Sequence, residues 1–397
     1  MDMLRSEVTV EDQARYLGRG DYARVTAADR PGVAQPVPVR EVPQQPWGRI
    51  SLGALLLFAL LIGGWEGYWR AWGVPTGYYR NSNGEWAQQR RRIDAGEGGK
   101  TVLIGSSRIL FDVQLPVWEQ AAGERPIQLA MEGTSSVPVL EDLAADPQFT
   151  GHLLVGVAPS LFFSGFAYRG DVIPYFHKQT PSQRSANWLS KRLLEPYLAF
   201  DEPDFALATV IERQAWPQRP GLPENTAVRK LAVQEVDRNS HLWSKVETDP
   251  EYYALVRKIW SEHLSAPPPP MMDTPEKAQK LIAAQIQRAV DAVAKLRARG
   301  VQVLFLRPPS IGPYHAYEDR YFPRRQTWDV LLQRTGAPGI HFEDYPSLQG
   351  YEQPEWSHLS ASEATRFTTA LMPIVQRQSW GAPRASADGA SLSRAAR

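Results

Sequence analysis

Residues 101–108 read TVLIGSSR: a short apolar run, stopped by Gly105 and followed by two serines and Arg108. An almost continuous apolar run bounded by glycine is what a strand covered on both faces requires. Four further runs have the same character: 127–131 (IQLAM), 153–157 (LLVGV), 301–306 (VQVLFL) and 340–342 (IHF). Between and after them the apolar spacing lengthens to the helical period, predicting helices over 117–122, 137–145, 276–299, 325–334 and 361–378. The third is the clearest. Ile282, Ile286, Val290, Val293 and Leu296 form one stripe, Thr274-Pro275 opens the helix and Gly300 closes it. Strands alternating with helices in this way predict an α/β fold built on a doubly wound parallel sheet.

The alternation is interrupted over 163–272, where amphipathic stretches (186–199, 252–264) and a proline run at 267–270 replace strand signals. This region is expected to be a mostly helical insertion in a catalytic domain spanning 100–380. Residues 73–99 are turn-rich, with a short charged helix over 85–93, and are expected to be a linker. The basic run Arg90-Arg91-Arg92 is expected on a solvated face or at lipid headgroups. Residues 381–397 are rich in Ala, Ser and Arg and are expected to be disordered.

Upstream, 50–65 (ISLGALLLFALLIGGW) carries no charge. As a helix these residues rise about 24 Å, slightly short of a hydrocarbon core of about 30 Å. Trp47 on one side and Trp65, Tyr68, Trp69 and Trp72 on the other suit two interfacial belts, with Arg49 and Arg70 able to snorkel. A single transmembrane anchor over 48–72 is the expectation, after a flexible cytoplasmic leader over 1–47. A cleavable signal peptide fits less well, because the leader is long and no small-x-small site follows. A buried core helix is the remaining alternative. Glu66 and Trp69, at the outer end of the span, are candidates to contact a partner helix or the headgroup region.

Over the 397 residues, 44 basic and 43 acidic side chains leave a net charge of +1, so no global field points to nucleic acid. Zero cysteines exclude disulfides, thiolate metal sites and a cysteine nucleophile. The histidines show no metal-ligand spacing, there is no glycine-rich phosphate loop, and neither a metal nor a cofactor is expected.

Ligands of open parallel sheets bind outside the carboxyl ends of the strands. Those ends carry Ser106-Ser107-Arg108, Gly133, Ser160 and Arg307, and Glu355-Trp356-Ser357-His358 opens the final helix. A serine hydroxyl needs a base to take its proton, and histidine with an orienting carboxylate serves near neutral pH. The developing oxyanion needs N–H donors already in place. Ser107 is the expected nucleophile, with Ser106 as the alternative one residue earlier. His358 is the expected base, with Glu355 or Asp344 to orient it. Arg108 and Arg307 are candidates to hold an anionic or sugar substrate, or else are structural ion-pair partners.

The motif Gly105-Ser106-Ser107-Arg108 resembles block I of the SGNH/GDSL superfamily, and Glu355-Trp356-Ser357-His358 resembles its block V. Gly133 matches the block II glycine. The resemblance covers roughly 100–162 and 300–378. It is closest to the membrane-anchored branch that includes the D-alanyl transfer protein of teichoic-acid operons. It implies a flavodoxin-like core, a catalytic row of Ser107, His358 and Glu355, and an oxyanion site at the N–H groups of Ser107 and Gly133. Two positions depart from the family. Ala158-Pro159-Ser160 stands where block III has asparagine, so Ser160 is a candidate substitute, and Glu355 replaces an aspartate.

The activity so implied is acyl transfer or ester hydrolysis on an envelope glycan or lipid-linked sugar, the acyl group being acetyl in the leading case. The domain would be periplasmic, on a single-pass protein of a bacterial inner membrane, beside a multi-span membrane-bound O-acyltransferase. A non-catalytic scaffold or glycan-binding subunit of a polysaccharide modification or export complex is the alternative. A plain ester hydrolase without a partner is a third reading.

Overall fold

The computed structural model describes residues 45–212 and 230–378. Most of the expected leader, residues 1–44, and the expected tail, 381–397, lie outside the described residues. The first element is helix α1, Trp47–Trp72, with 26 residues. It is long and apolar enough to cross a membrane. The chain divides into two units inside this helix, between Leu61 and Ile62. In the first unit the described side chains, Leu55, Leu56, Leu57 and Phe58 among them, are all exposed.

In the second unit five strands form one parallel sheet. They are β1 (Val102–Ile104), β2 (Ile127–Gln128), β3 (His152–Gly156), β6 (Gln302–Arg307) and β7 (Gly339–His341), arranged β2-β1-β3-β6-β7. Strands β4 (Ala232–Gln234) and β5 (Ser240–Leu242) form a separate antiparallel pair. Each run read as a strand has its place in the five-stranded sheet. Side chains alternate across it: Leu103, Leu154 and Leu304 stand in register and face one way, while Val102, Leu153 and Val303 face the other.

Helices cover both faces. Their order in the chain is α2 (Asn83–Arg92), α3 (Ser107–Asp112), α4 (Leu115–Ala122), α5 (Val137–Ala145), α6 (Pro181–Leu193), α7 (Pro250–Ser265), α8 (Pro275–Ala298), α9 (Gly312–Tyr321), α10 (Trp328–Thr335) and α11 (Ala361–Arg377). One core joins the Val102 face to α2, α5, α8 and α10; the other joins the Leu103 face to α3, α4 and α11. Each fully buried aliphatic or aromatic side chain in them contributes about 1.5–3 kcal/mol by leaving water. The architecture is therefore α/β and mostly helical around a parallel sheet.

The stretch 73–99 is not a linker: Trp86 is fully buried in the first core and donates its indole N–H to Leu129 O at 2.9 Å. The basic run inside it is not a solvated face. Arg90 is buried and paired with Asp142 (2.9 Å) and Asp146 (2.7 Å), and Arg92 is paired with Glu97 (2.6 Å). The inserted region, of which 213–229 lie outside the described residues, contains the β4–β5 hairpin as well as helices. Arg238, at its turn, has φ 69° and is fully buried, donating to Gln128 O (3.1 Å) and Ala130 O (3.0 Å). It stitches the hairpin to the β2 edge of the sheet.

Glu66 and Trp69 make contacts within the chain itself. The Glu66 carboxylate accepts from the main-chain N–H groups of Ala199 (2.7 Å) and Phe200 (3.2 Å) and from Arg70 (2.7 Å). Trp69 is buried against Phe205 with ring centroids 4.6 Å apart.

Candidate active site

The sheet order reverses between β1 and β3, and at such a point the connections diverge and leave a crevice at the carboxyl ends. Gly105 ends β1, and Ser106 caps α3, its hydroxyl accepting from Arg108 N at 3.4 Å. That bond commits Ser106 to the helix start and presents Ser107 at the first helical position. Ile109, one turn on, packs against two glycines. A methyl group at Gly105 would stand 2.4 Å from Ile109 Cγ1, and one at Gly156 would stand 2.0 Å from it. Both strand ends must lack a Cβ for α3 to sit this close.

On the far side of the site, the loop carrying Glu355 and His358 is held by Trp356 at φ 68°. A bulky residue in this left-handed region costs on the order of 1–3 kcal/mol and persists only where its surroundings enforce it. Here Trp356 donates its N–H to Gln353 O (3.1 Å) and accepts at its carbonyl from Ile311 N (3.1 Å). Leu359 N, just beyond, donates to Asp112 Oδ1 at the end of α3 (3.0 Å).

Across this loop and α3 the three side chains meet. His358 Nε2 is 2.7 Å from Ser107 Oγ, and His358 Nδ1 is 2.7 Å from Glu355 Oε1. The same carboxylate oxygen accepts the His358 main-chain N–H at 2.6 Å. Glu355 is fully buried and the Phe111 ring lies 4.8 Å from the imidazole. Asp344, the other candidate orienter, is instead on the surface, paired with Arg324 at 2.7 Å.

A cleft of about 980 Å³ opens over the row, and Ser107, His358, Gly133 and Ser160 all line it. Gly133 follows β2 with φ 54°, and a Cβ there would come within 3.2 Å of Tyr168 Cβ. Ser160 stands at the β3 end beside Tyr314, whose phenol burial raises above its ordinary value. The insertion supplies one wall, including Arg169, Lys230 and Trp260, and the 79–83 stretch supplies another.

Arg108 and Arg307 are not presented to a substrate. Both are buried and share one carboxylate: Arg108 Nη2 is 2.9 Å from Glu318 Oε1, and Arg307 Nη2 is 2.7 Å from Glu318 Oε2. Arg108 Nε also donates to Ser357 Oγ at 3.2 Å, behind the His358 loop. Burial pushes the Glu318 carboxyl up, but the two guanidiniums and their hydrogen bonds outweigh it, and the group sits below its ordinary value.

Two residues at this site escaped sequence reasoning. Glu318 lies on α9, a helix without a clear apolar stripe, so nothing in its neighbours marked it. Asp112 ends α3 and belongs to no motif; in the structure it is fully buried. Burial pushes it up to about 7, against the pull of His358 and the Leu359 N–H.

Fold and site together define an α/β chain with a hydrogen-bonded Ser–His–Glu row at the carboxyl ends of a parallel sheet. No protein-family model matches the chain, and no curated protein matches it. Among the described residues no group of His, Cys, Asp and Glu is arranged to hold a metal ion.

Proposed function

We propose that the chain is a membrane-anchored serine acyltransferase or esterase with a flavodoxin-like core of the SGNH type. It would act on acyl esters, acetyl esters in the leading case, of an envelope glycan or lipid-linked sugar. The observation that carries this is the pair of 2.7 Å contacts placing His358 between Ser107 and Glu355. Ser107 Oγ attacks the acyl carbonyl as its proton passes to His358 Nε2, and Glu355 holds the tautomer and balances the imidazolium. The N–H groups of Ser107 and Gly133 receive the oxyanion, with Ser160 at the chain position of the family's asparagine. Collapse breaks the bond to the leaving alkoxide, which takes the proton from His358. A sugar hydroxyl or water, deprotonated by His358, then attacks the Ser107 ester; collapse releases the acylated sugar or the free acid as His358 returns that proton to Ser107 Oγ.

Labelling by a fluorophosphonate probe tests the reading. Wild type is expected to be labelled, and Ser107→Ala and His358→Ala are not. Failure of folded wild type to label overturns it.

Helix α1 supplies the single span. The proposed setting is a bacterial inner membrane with the domain in the periplasm, beside a multi-span O-acyltransferase that hands acyl groups across the bilayer. Recovery of this chain alone from native membranes in mild detergent counts against that partner.

A second reading is a non-catalytic scaffold of a polysaccharide modification or export complex. Ser160 in place of the third oxyanion donor favours it, since loss of one such donor typically costs about 10²–10³ in turnover. Equal complementation by wild type and Ser107→Ala selects this reading.

A further inference from the structure

Helix α6 lies on the protein the wrong way round for a surface in water. A surface helix ordinarily turns its apolar stripe to the core and its polar face outward. Here the polar side chains make the contacts: Asn187 Nδ2 donates to Tyr175 OH (2.8 Å), Ser190 accepts from Arg80 (2.7 Å), and Lys191 binds Glu85 and Gln88. No residue of the helix is buried. Its opposite face presents Trp188 (61% exposed), Leu189 (47%) and Leu193 (59%). Arg184 and Arg192 are also exposed on it.

What covers this face follows from where the chain goes next. The segment leaving α6 is fastened to the second-unit end of α1. Arg70 Nη2 donates to Tyr197 O at 2.8 Å, and Glu66 receives Ala199 N and Phe200 N. Tyr197 (64% exposed) and Tyr68 (58%) add aromatic rings of the kind that settle at a membrane interface. Trp and Leu on one face with arginines beside them is the composition of a helix lying in the headgroup layer, the arginines meeting anionic lipid.

We infer that α6 is a second membrane contact: it lies in the bilayer interface through Trp188, Leu189 and Leu193, and holds the cleft-bearing domain at the lipid surface. This rests on α1 being a membrane span. It goes beyond the proposed chemistry in fixing how the domain meets the bilayer. An acceptor or donor carried on a lipid would then be reached without the domain leaving the membrane.

The chain has no cysteine, so single-cysteine variants of the full-length protein can be spin-labelled cleanly. Labels are placed at Leu189→Cys and Leu193→Cys, at Leu56→Cys in the span, and at the exposed Thr369→Cys as the aqueous reference. The protein is reconstituted in nanodiscs of phosphatidylethanolamine and phosphatidylglycerol, and collision with oxygen is compared with collision with a water-soluble nickel chelate. At 189 and 193 the oxygen-to-nickel ratio is expected to be several-fold above that at 369. It should fall when Arg184→Glu and Arg192→Glu are added. Ratios at 189 and 193 equal to that at 369, with 56 in lipid, overturn the inference and leave the span standing. A water-like ratio at 56 overturns the span reading itself. Shielding of 189 and 193 in native membranes but not in nanodiscs assigns the face to a protein partner and rejects the lipid.

Discussion

A single oxygen of Glu355 holds His358 twice: Oε1 accepts the imidazole Nδ1 at 2.7 Å and the main-chain N–H at 2.6 Å. Orientation of the ring and conformation of its loop are thereby tied to one buried carboxylate. The i,i+3 spacing makes this geometry, because it lets the acid fold back onto the residue that it orients.

Glu355→Gln keeps the shape and removes the charge. The amide oxygen can keep both bonds, but its nitrogen takes the place of the unpartnered Oε2 and the charge that compensates the imidazolium is gone. By analogy with serine hydrolases, turnover on an activated ester is expected to fall about 10⁴-fold with the fold intact. Steady-state kinetics alongside circular dichroism would check this; retention of more than a tenth of wild-type turnover contradicts the role.

Asp112 makes stability depend on pH in a defined sense. Its carboxyl titrates near about 3.9 when unfolded, and burial raises it to about 7 in the native protein. Between those values the native state binds a proton that the unfolded state has released, so stability falls as pH rises and levels off above about 7. Asp112→Asn mimics the neutral acid. The melting temperature of Asp112→Asn minus that of wild type should widen across this window and then stay constant; a flat difference contradicts the buried assignment.

Glu318 is the only carboxylate contacting both Arg108 and Arg307 among the described residues. Glu318→Gln leaves two buried guanidiniums facing each other, and breaking a buried ion pair this way typically costs about 3–5 kcal/mol. Denaturant titration measures that loss. Because the folded carboxyl lies below its ordinary value, its contribution is present above the unfolded value and is lost as pH falls through the folded one.

Gly156→Ala drives a methyl group to 2.0 Å from Ile109 Cγ1. Overpacking of this kind costs about 1–3 kcal/mol and displaces α3, so slower fluorophosphonate labelling at Ser107 is expected together with lower stability. Ile109→Ala removes the colliding atom. The double variant should therefore be more stable than the sum of the single effects, and strict additivity would show that the two residues do not meet.

Strand positions were legible because a strand buried on both faces has little choice of residue: Val102–Ile104, His152–Gly156 and Gln302–Arg307 each fall within a residue or two of an apolar run. Helix α8 was legible for the same reason, its stripe facing a core. Helix α9 and the β4–β5 hairpin were not, since their side chains answer to long-range partners such as Arg108 and Gln128 rather than to a local period. Trp86 and Arg90 misled because a charged, glycine-flanked stretch ordinarily lies in water, and here distant aspartates compensate the buried guanidinium.

Local pattern by itself determined the parallel α/β plan, the apolar α1, and a serine and a histidine at chain positions where strand ends and helix starts fall. Periodicity and burial act between near neighbours, so one chain suffices to read them. Only the tertiary structure decided that Ser107 rather than Ser106 faces His358, that Glu355 rather than Asp344 orients it, and that Arg108 and Arg307 are spent on Glu318. Those choices depend on separations of a few ångströms between residues up to 251 positions apart, set by how two glycines let α3 settle and how Trp356 turns its loop.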